Sequence, residues 1–122
     1  MADQEQMKRA LQTYVDGFAK GDAAMVTALF AADAVVEDPV GNPPVSGRAA
    51  IEEFYRNAIG SGARLTLDGP IRGSHGNAAA MALTVEVPGA DLRIRVIEVM
   101  TFDDHGKIVE MRAYWGPDDV VQ

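Results

Sequence analysis

From Ala78 to Trp115 the sequence keeps a two-residue beat, and no other stretch restricts the fold so strongly. Ala79, Met81, Leu83, Val85 and Val87 take one side of the alternation, with Ala78, Ala80, Ala82, Thr84 and Glu86 on the other. Successive strand side chains point to opposite faces, so this is one long strand with an apolar face. Pro88-Gly89-Ala90 turns the chain, and a second strand follows with Leu92, Ile94, Val96, Met100 and Phe102 in its apolar phase. Asp103-Asp104-His105-Gly106 reads as a hairpin turn. The last strand sets Val109, Met111, Ala113 and Trp115 against Ile108, Glu110, Arg112 and Tyr114. Gly116 to Gln122 reads as a tail. Long strands joined by tight turns make an antiparallel meander, and its apolar face needs a covering layer.

The first sixty residues supply that layer. Asp3 with Gln6 has the form of a capping box, and Met7, Leu11, Tyr14, Val15 and Phe18 follow at helical spacing. Lys20 and Gly21 end this helix. Tyr14 falls in its buried stripe, where a hydroxyl needs a partner. Asp22 is the cap expected for a short second helix carrying Met25, Val26, Leu29 and Phe30. Ala31-Ala32-Asp33 then leads into a strand at Val35-Val36. Ser46 or Gly47 caps a third helix from about Arg48 to Ile59, with Ile51, Phe54, Tyr55, Ala58 and Ile59 on one face. Period two resumes at Leu65 and Leu67. Gly69-Pro70 interrupts it, Ile71 to Ser74 is expected to continue the sheet past a bulge, and His75-Gly76-Asn77 turns. The expected architecture is α+β, a single domain over residues 1–122. Three helices lie on one face of a strongly curved antiparallel sheet whose concave side is a cup for a small apolar ligand.

Composition narrows the partners. The formal net charge is −7, which disfavours nucleic acid and anionic membrane surfaces alike. The chain has no cysteine, so disulfides and thiolate chemistry are absent. Neither a signal peptide nor a membrane-spanning apolar run is visible, and a cytoplasmic protein is the default expectation. His75 and His105 sit in separate turns without ligand spacing, so no metal is expected. Gly60-Ser61-Gly62 lacks the strand, helix and lysine of a phosphate loop.

Two places depart from these patterns. In the second long strand the apolar phase passes through Glu98, so the carboxyl is carried to the buried face unless a bulge intervenes or an arginine pairs with it. In Val35-Val36-Glu37-Asp38-Pro39-Val40-Gly41-Asn42-Pro43-Pro44, two acids end a strand at a turn rich in proline. Asp38, before a proline, is biased to an extended conformation at the lip of the cup; the alternative is that Glu37 and Asp38 simply solvate a loop. Carboxyls in different surroundings divide labour, one ionised as a base and one protonated as a donor. With a tyrosine hydroxyl as second donor the set suits proton abstraction beside a carbonyl.

The sequence resembles the ketosteroid Δ5-3-isomerases, a family that shares a cone-shaped fold with nuclear transport factor 2. The resemblance rests on Arg9 with Tyr14, Gly21-Asp22, Leu29-Phe30-Ala31, Ala34 to Pro44, Ser46-Gly47 and Ile51-Glu52-Glu53-Phe54-Tyr55. It continues through Val96-Ile97-Glu98, Phe102, Gly106-Lys107 and Met111-Arg112-Ala113-Tyr114-Trp115. It implies three helices packed on a curved, antiparallel or mixed sheet. It implies Asp38 as the general base that moves a proton from C4 to C6 of a steroid, with Tyr14 on the C3 oxygen and Tyr55 buttressing it. Phe54, Met81, Val96, Met111 and Trp115 correspond to apolar walls of the substrate pocket. The family needs no cofactor and forms homodimers. Where its best-known members carry aspartic acid as second oxyanion donor this chain has Glu98, and Phe30 stands where some members extend the hydrogen-bond network with a tyrosine.

Rival readings differ in what they require. A polyketide cyclase of this fold can also use a single acid such as Asp38. A dehydratase would want histidines in the cup, whereas both histidines here fall in turns. An epoxide hydrolase would want an arginine between two acids, and Arg93 and Arg95 fall in the outward phase. A binding protein would hold an apolar ligand without chemistry.

Overall fold

The computed structural model describes residues 3–121, and each helix begins where the local chemistry requires it. For α1 (Gln4–Lys20) the Asp3 carboxylate accepts the Gln6 N–H at 2.7 Å, and Gln6 Oε1 accepts the Asp3 N–H at 3.1 Å. Gly21 closes the helix in the left-handed region at φ 67°. Asp22 caps α2 (Ala23–Thr27) by accepting the Met25 N–H. At α3 (Arg48–Gly60) the cap residue is Gly47, with no side-chain bond; Ser46 lies in a strand instead.

The strands are β1 (Phe30–Glu37), β2 (Val45–Ser46), β3 (Arg64–Leu67), β4 (Ala78–Val87), β5 (Leu92–Phe102), β6 (Ile108–Tyr114) and β7 (Val120–Val121). They form one curved sheet in the order β2-β1-β6-β5-β4-β3, with β7 also paired to β5. The β1–β6 pair is parallel and the others are antiparallel, so the sheet is mixed. Its concave face carries Met81, Leu83, Val96, Met100, Phe102, Ile108 and Met111, covered by Met7, Leu11, Tyr14 and Phe18 of α1 and Ile51 and Tyr55 of α3.

Four expectations need correction. Phe30 is not helical: α2 stops at Thr27, and Phe30 opens β1, bonded in register with Ile108. Ile108, not Val109, takes the apolar phase at the start of β6. The β5–β6 register jumps between Thr101 and Phe102, which sets Phe102 opposite Ile108 and leaves Val109 as the extra residue of a bulge. Residues 71–74 contribute only one bridge, Arg72 to Ala80. The tail is not free: β7 pairs with Arg93 and Ile94 of β5, on the side of β5 that β6 has by then vacated.

Gly17 shows packing overriding helix propensity. Alanine in a helix interior is favoured over glycine by about 1 kcal/mol. A Cβ at Gly17, however, would come 2.5 Å from Val26 Cγ2, where α2 crosses α1. Gly17→Ala is expected to destabilise the protein by about 1–3 kcal/mol. Added to Val26→Ala, the same change should stabilise it, because the obstructing methyl is gone. Urea unfolding of the two single variants and the double variant reads this reversal of sign.

Candidate active site

The sheet register brings the sequence-predicted acids into one row. Met81 pairs with Glu98 and Glu98 with Ala113, with no bulge at that level. Val36 pairs with Met111 and Glu37 with Arg112, so one further step sets Asp38 level with Ala113. The Val40 N–H to Ala113 carbonyl bond of 2.8 Å holds the chain there. Asp38, Ala113, Glu98 and Met81 thus follow one another across the concave face, the two acids separated by the Ala113 methyl. Two strand spacings put their backbones about 10 Å apart.

Glu98 is 3% exposed, and its Oε1 has no hydrogen-bond partner. No arginine reaches it, since Arg93 and Arg95 are exposed on the other face. Burial among Met81, Val96, Met100 and Ala113 pushes its pKa from 4.5 up to about 8; the Asp38 charge adds to the rise, and hydrogen bonding with Tyr14 opposes it. At neutral pH Glu98 is therefore a carboxylic acid, and either oxygen can carry the proton.

Tyr14 on α1 and Tyr55 on α3 are fully buried, with hydroxyl oxygens 3.0 Å apart and rings edge to face at 5.4 Å. Burial and then the Glu98 charge raise both hydroxyls well above 10, so each keeps its proton. The Tyr14 hydroxyl donates to Tyr55 in this arrangement; rotation of both hydroxyls so that Tyr55 donates instead frees the Tyr14 proton for a third oxygen. Phe18, Phe30 and Phe54 surround Tyr55 with centroids 5.1–6.0 Å away and fix its ring. Phe30 thus occupies apolar space where a hydroxyl would need another partner.

Asp38 is half-buried beyond the end of β1. The Trp115 indole N–H donates to its Oδ1 at 2.9 Å. Burial raises the Asp38 pKa, and this hydrogen bond holds the rise in check. Trp115, which the resemblance matched to an apolar wall, thus makes a polar contact with Asp38. Its place beside Asp38 was legible only once the parallel β1–β6 pairing was known. Met81 and Met111 are fully buried and Val96 nearly so, while Phe54 and Trp115 are partly exposed.

The apolar phase of β5 opens to solvent in one direction: Met100 and Val96 are buried, and Ile94 and Leu92 are not. Level with Ile94 and Val85, Leu65 joins Phe18, Ile59 and Ala63 around a cleft of about 570 Å³. Among the described residues no group of His, Cys, Asp and Glu could hold a metal ion. No helix among them is long and apolar enough to cross a membrane.

Comparisons with known proteins agree with this architecture. The SnoaL-like domain family matches residues 11–111. A steroid Delta-isomerase of Nocardioides simplex is 42% identical over 95% of this chain and 94% of its own length. The epoxide hydrolase LasB of Streptomyces lasalocidi is 35% identical over 81% of this chain, which spans 37% of that protein. The solved structure of SalBIII, an epoxide hydrolase/cyclase-like enzyme of pyran ring formation in the polyether salinomycin, superposes with a TM-score of 0.89 at 28% identity and covers 98% of each chain.

The neutral acid has a thermodynamic signature. Glu98 binds its proton up to about pH 8 when folded but only to about 4.5 when unfolded. Between these values the folded state holds more protons, so stability falls as pH rises and levels off above the folded pKa. From pH 5 to 8 the protein is expected to lose a few kcal/mol, at no more than about 1.4 kcal/mol per pH unit from this one group. Glu98→Gln should flatten the slope in urea unfolding at a series of pH values.

Proposed function

The chain belongs to the SnoaL-like domain family, and from that premise we propose that it is a cofactor-independent isomerase moving the C=C bond of a 3-oxo-Δ5-steroid into conjugation. The observation that carries the reading is the buried, protonated Glu98, its Oε1 without a hydrogen-bond partner, beside the Tyr14–Tyr55 pair and across Ala113 from Asp38. The 42% identity to a steroid Delta-isomerase supports it.

In this reading the ionised Asp38 takes the C4 proton. The C–H electron pair moves through the ketone onto the C3 oxygen and leaves a dienolate. Tyr14 and Glu98 donate hydrogen bonds to that oxygen where water is excluded, and such bonds gain most as charge develops. Asp38 then returns the proton at C6, and the electrons settle as the conjugated enone. Trp115 holds the carboxylate that moves between the two carbons, and Phe54, Met81, Val96 and Met111 are proposed to contact the apolar skeleton. Glutamic acid is one methylene longer than aspartic acid, and the burial of Glu98 keeps its longer side chain among apolar neighbours in the row. The proposal includes a homodimer. Ile97 (52% exposed) and Tyr114 (43% exposed) are register partners on the outer face of the sheet and offer an apolar patch for it.

An epoxide-opening reading would use the same acids, Glu98 protonating the ring oxygen and Asp38 activating the attacking hydroxyl. The position between them holds Ala113 rather than an arginine, and this favours the isomerase.

The direct test is the rise of enone absorbance when a 3-oxo-Δ5-steroid is added. Asp38→Asn should abolish turnover, and Tyr14→Phe should lower kcat by about 10²–10³-fold with a much smaller change in KM. Absence of turnover in the native protein, or its survival in Asp38→Asn, refutes the proposal.

The pH profile follows from the two acids. Activity should rise as Asp38 ionises, above its ordinary range, and fall as Glu98 loses its proton near pH 8. Trp115→Phe removes a bond that lowers the Asp38 pKa, so the acid limb of kcat/KM should move to higher pH while the alkaline limb stays.

A further inference from the structure

Glu37, the acid beside the proposed base, points the opposite way. Strand alternation sends Asp38 to the concave face and Glu37 to the outer one, where Glu37 pairs in register with Arg112. Its two oxygens are used differently. Oε1 lies 3.4 Å from Arg112 Nε, an ion pair not aligned as a hydrogen bond. Oε2 accepts the Gly41 N–H at 3.2 Å. Gly41 has φ 108°, a conformation that L-residues avoid, and it presents its N–H backwards to the strand that the turn has just left. Arg112 is steadied in turn, with its guanidinium carbon 5.8 Å from the centroid of the Tyr114 ring.

Asp38 lies inside this loop. The turn is bonded to the sheet at Val40, which donates to Ala113, and is closed by Asn42 donating to Pro39. Glu37 adds a strap from behind, tying Gly41 to the residue before Asp38 and both to β6. Trp115, which holds the Asp38 carboxylate in front, follows β6 directly. Backbone and carboxylate of the base are thereby referred to the same strand.

We propose that Glu37 is a positioning residue for Asp38: by bridging Arg112 and the Gly41 N–H, it fixes the turn that aims the base. The proposal rests on the isomerase reading for its kinetic consequence, but not for its structural one. Glu37 faces away from the cup and touches no substrate. Loss of the strap would let the turn drift, and about 1 Å of misplacement at a reacting group costs on the order of a hundredfold in rate.

The test compares Glu37→Ala, Glu37→Gln and Asp38→Asn with the native protein by two readouts. Trp115 is the sole tryptophan, so its emission reports ionisation of the carboxylate it donates to, whether or not the protein turns over steroid. The native protein should show an acid transition in Trp115 emission that Asp38→Asn removes. Glu37→Ala should shrink or shift that transition. Glu37→Gln, whose amide oxygen can still accept the Gly41 N–H, should restore most of it. In the enone assay Glu37→Ala should lower kcat by about ten- to a hundredfold, while the Kd of a phenolic steroid changes less than twofold, with Glu37→Gln between. Three results overturn the proposal: a native-like Trp115 transition in Glu37→Ala, unchanged kcat in that variant, or parallel losses of kcat and phenol affinity that Gln does not restore. Absence of turnover in every protein, native included, refutes the isomerase alone, and the emission titration then judges the strap.

Discussion

An unbroken β ladder carries Glu98 into the apolar face of the sheet, between Met81 and Ala113, with no positive charge to meet it. A bulge at this level would have turned the side chain outward, and an arginine on the same face would have kept it ionised. With neither present, burial keeps the proton on the acid. The neighbouring groups fit that state. Tyr14 and Tyr55 also stay protonated, Phe30 packs against Tyr55 without adding another polar atom, and Ala113, the register partner of Glu98, adds only a methyl group.

Much of this was legible in the sequence because it follows from period and capping. The alternation through β4 and β5 placed Glu98 on the buried face, and the helical stripe of α1 buried Tyr14. The caps at Asp3, Asp22 and Gly21 set helix ends to the residue. What escaped depends on pairing between distant segments. The bulge at Val109 arises from the register of β6 against β5 and leaves no mark within β6 alone. Phe30 has the spacing of a helical residue, yet its backbone pairs with Ile108. Choosing Asp38 over Glu37 required the resemblance to a known family, since local pattern treats the two acids alike. The parallel β1–β6 register then gives them opposite faces, one toward the cup and one toward Arg112.

The same sheet row suits more than one chemistry, and the chain is similar both to a protein named for isomerisation and to one named for epoxide opening. In the two readings proposed for this chain the acids are the same, and what separates them is what lies between and behind those acids. Here a methyl group lies between them. Behind Asp38 stand an indole N–H on one side and a carboxylate strap on the other. The proposed proton transfer between nearby carbon atoms would require one carboxylate to reach two positions without losing its orientation, and these two holds suit that requirement.

The central claim is that Glu98 is a neutral acid in the folded protein at pH 7. Carbon-13 NMR of protein labelled at the glutamate side-chain carboxyl carbon observes this directly. One glutamate signal should keep the chemical shift of a protonated carboxyl at pH 7, titrate with a midpoint near 8 and vanish in Glu98→Gln. If instead every glutamate signal titrates in the ordinary carboxylate range, Glu98 is ionised in the fold and the account of the site is wrong.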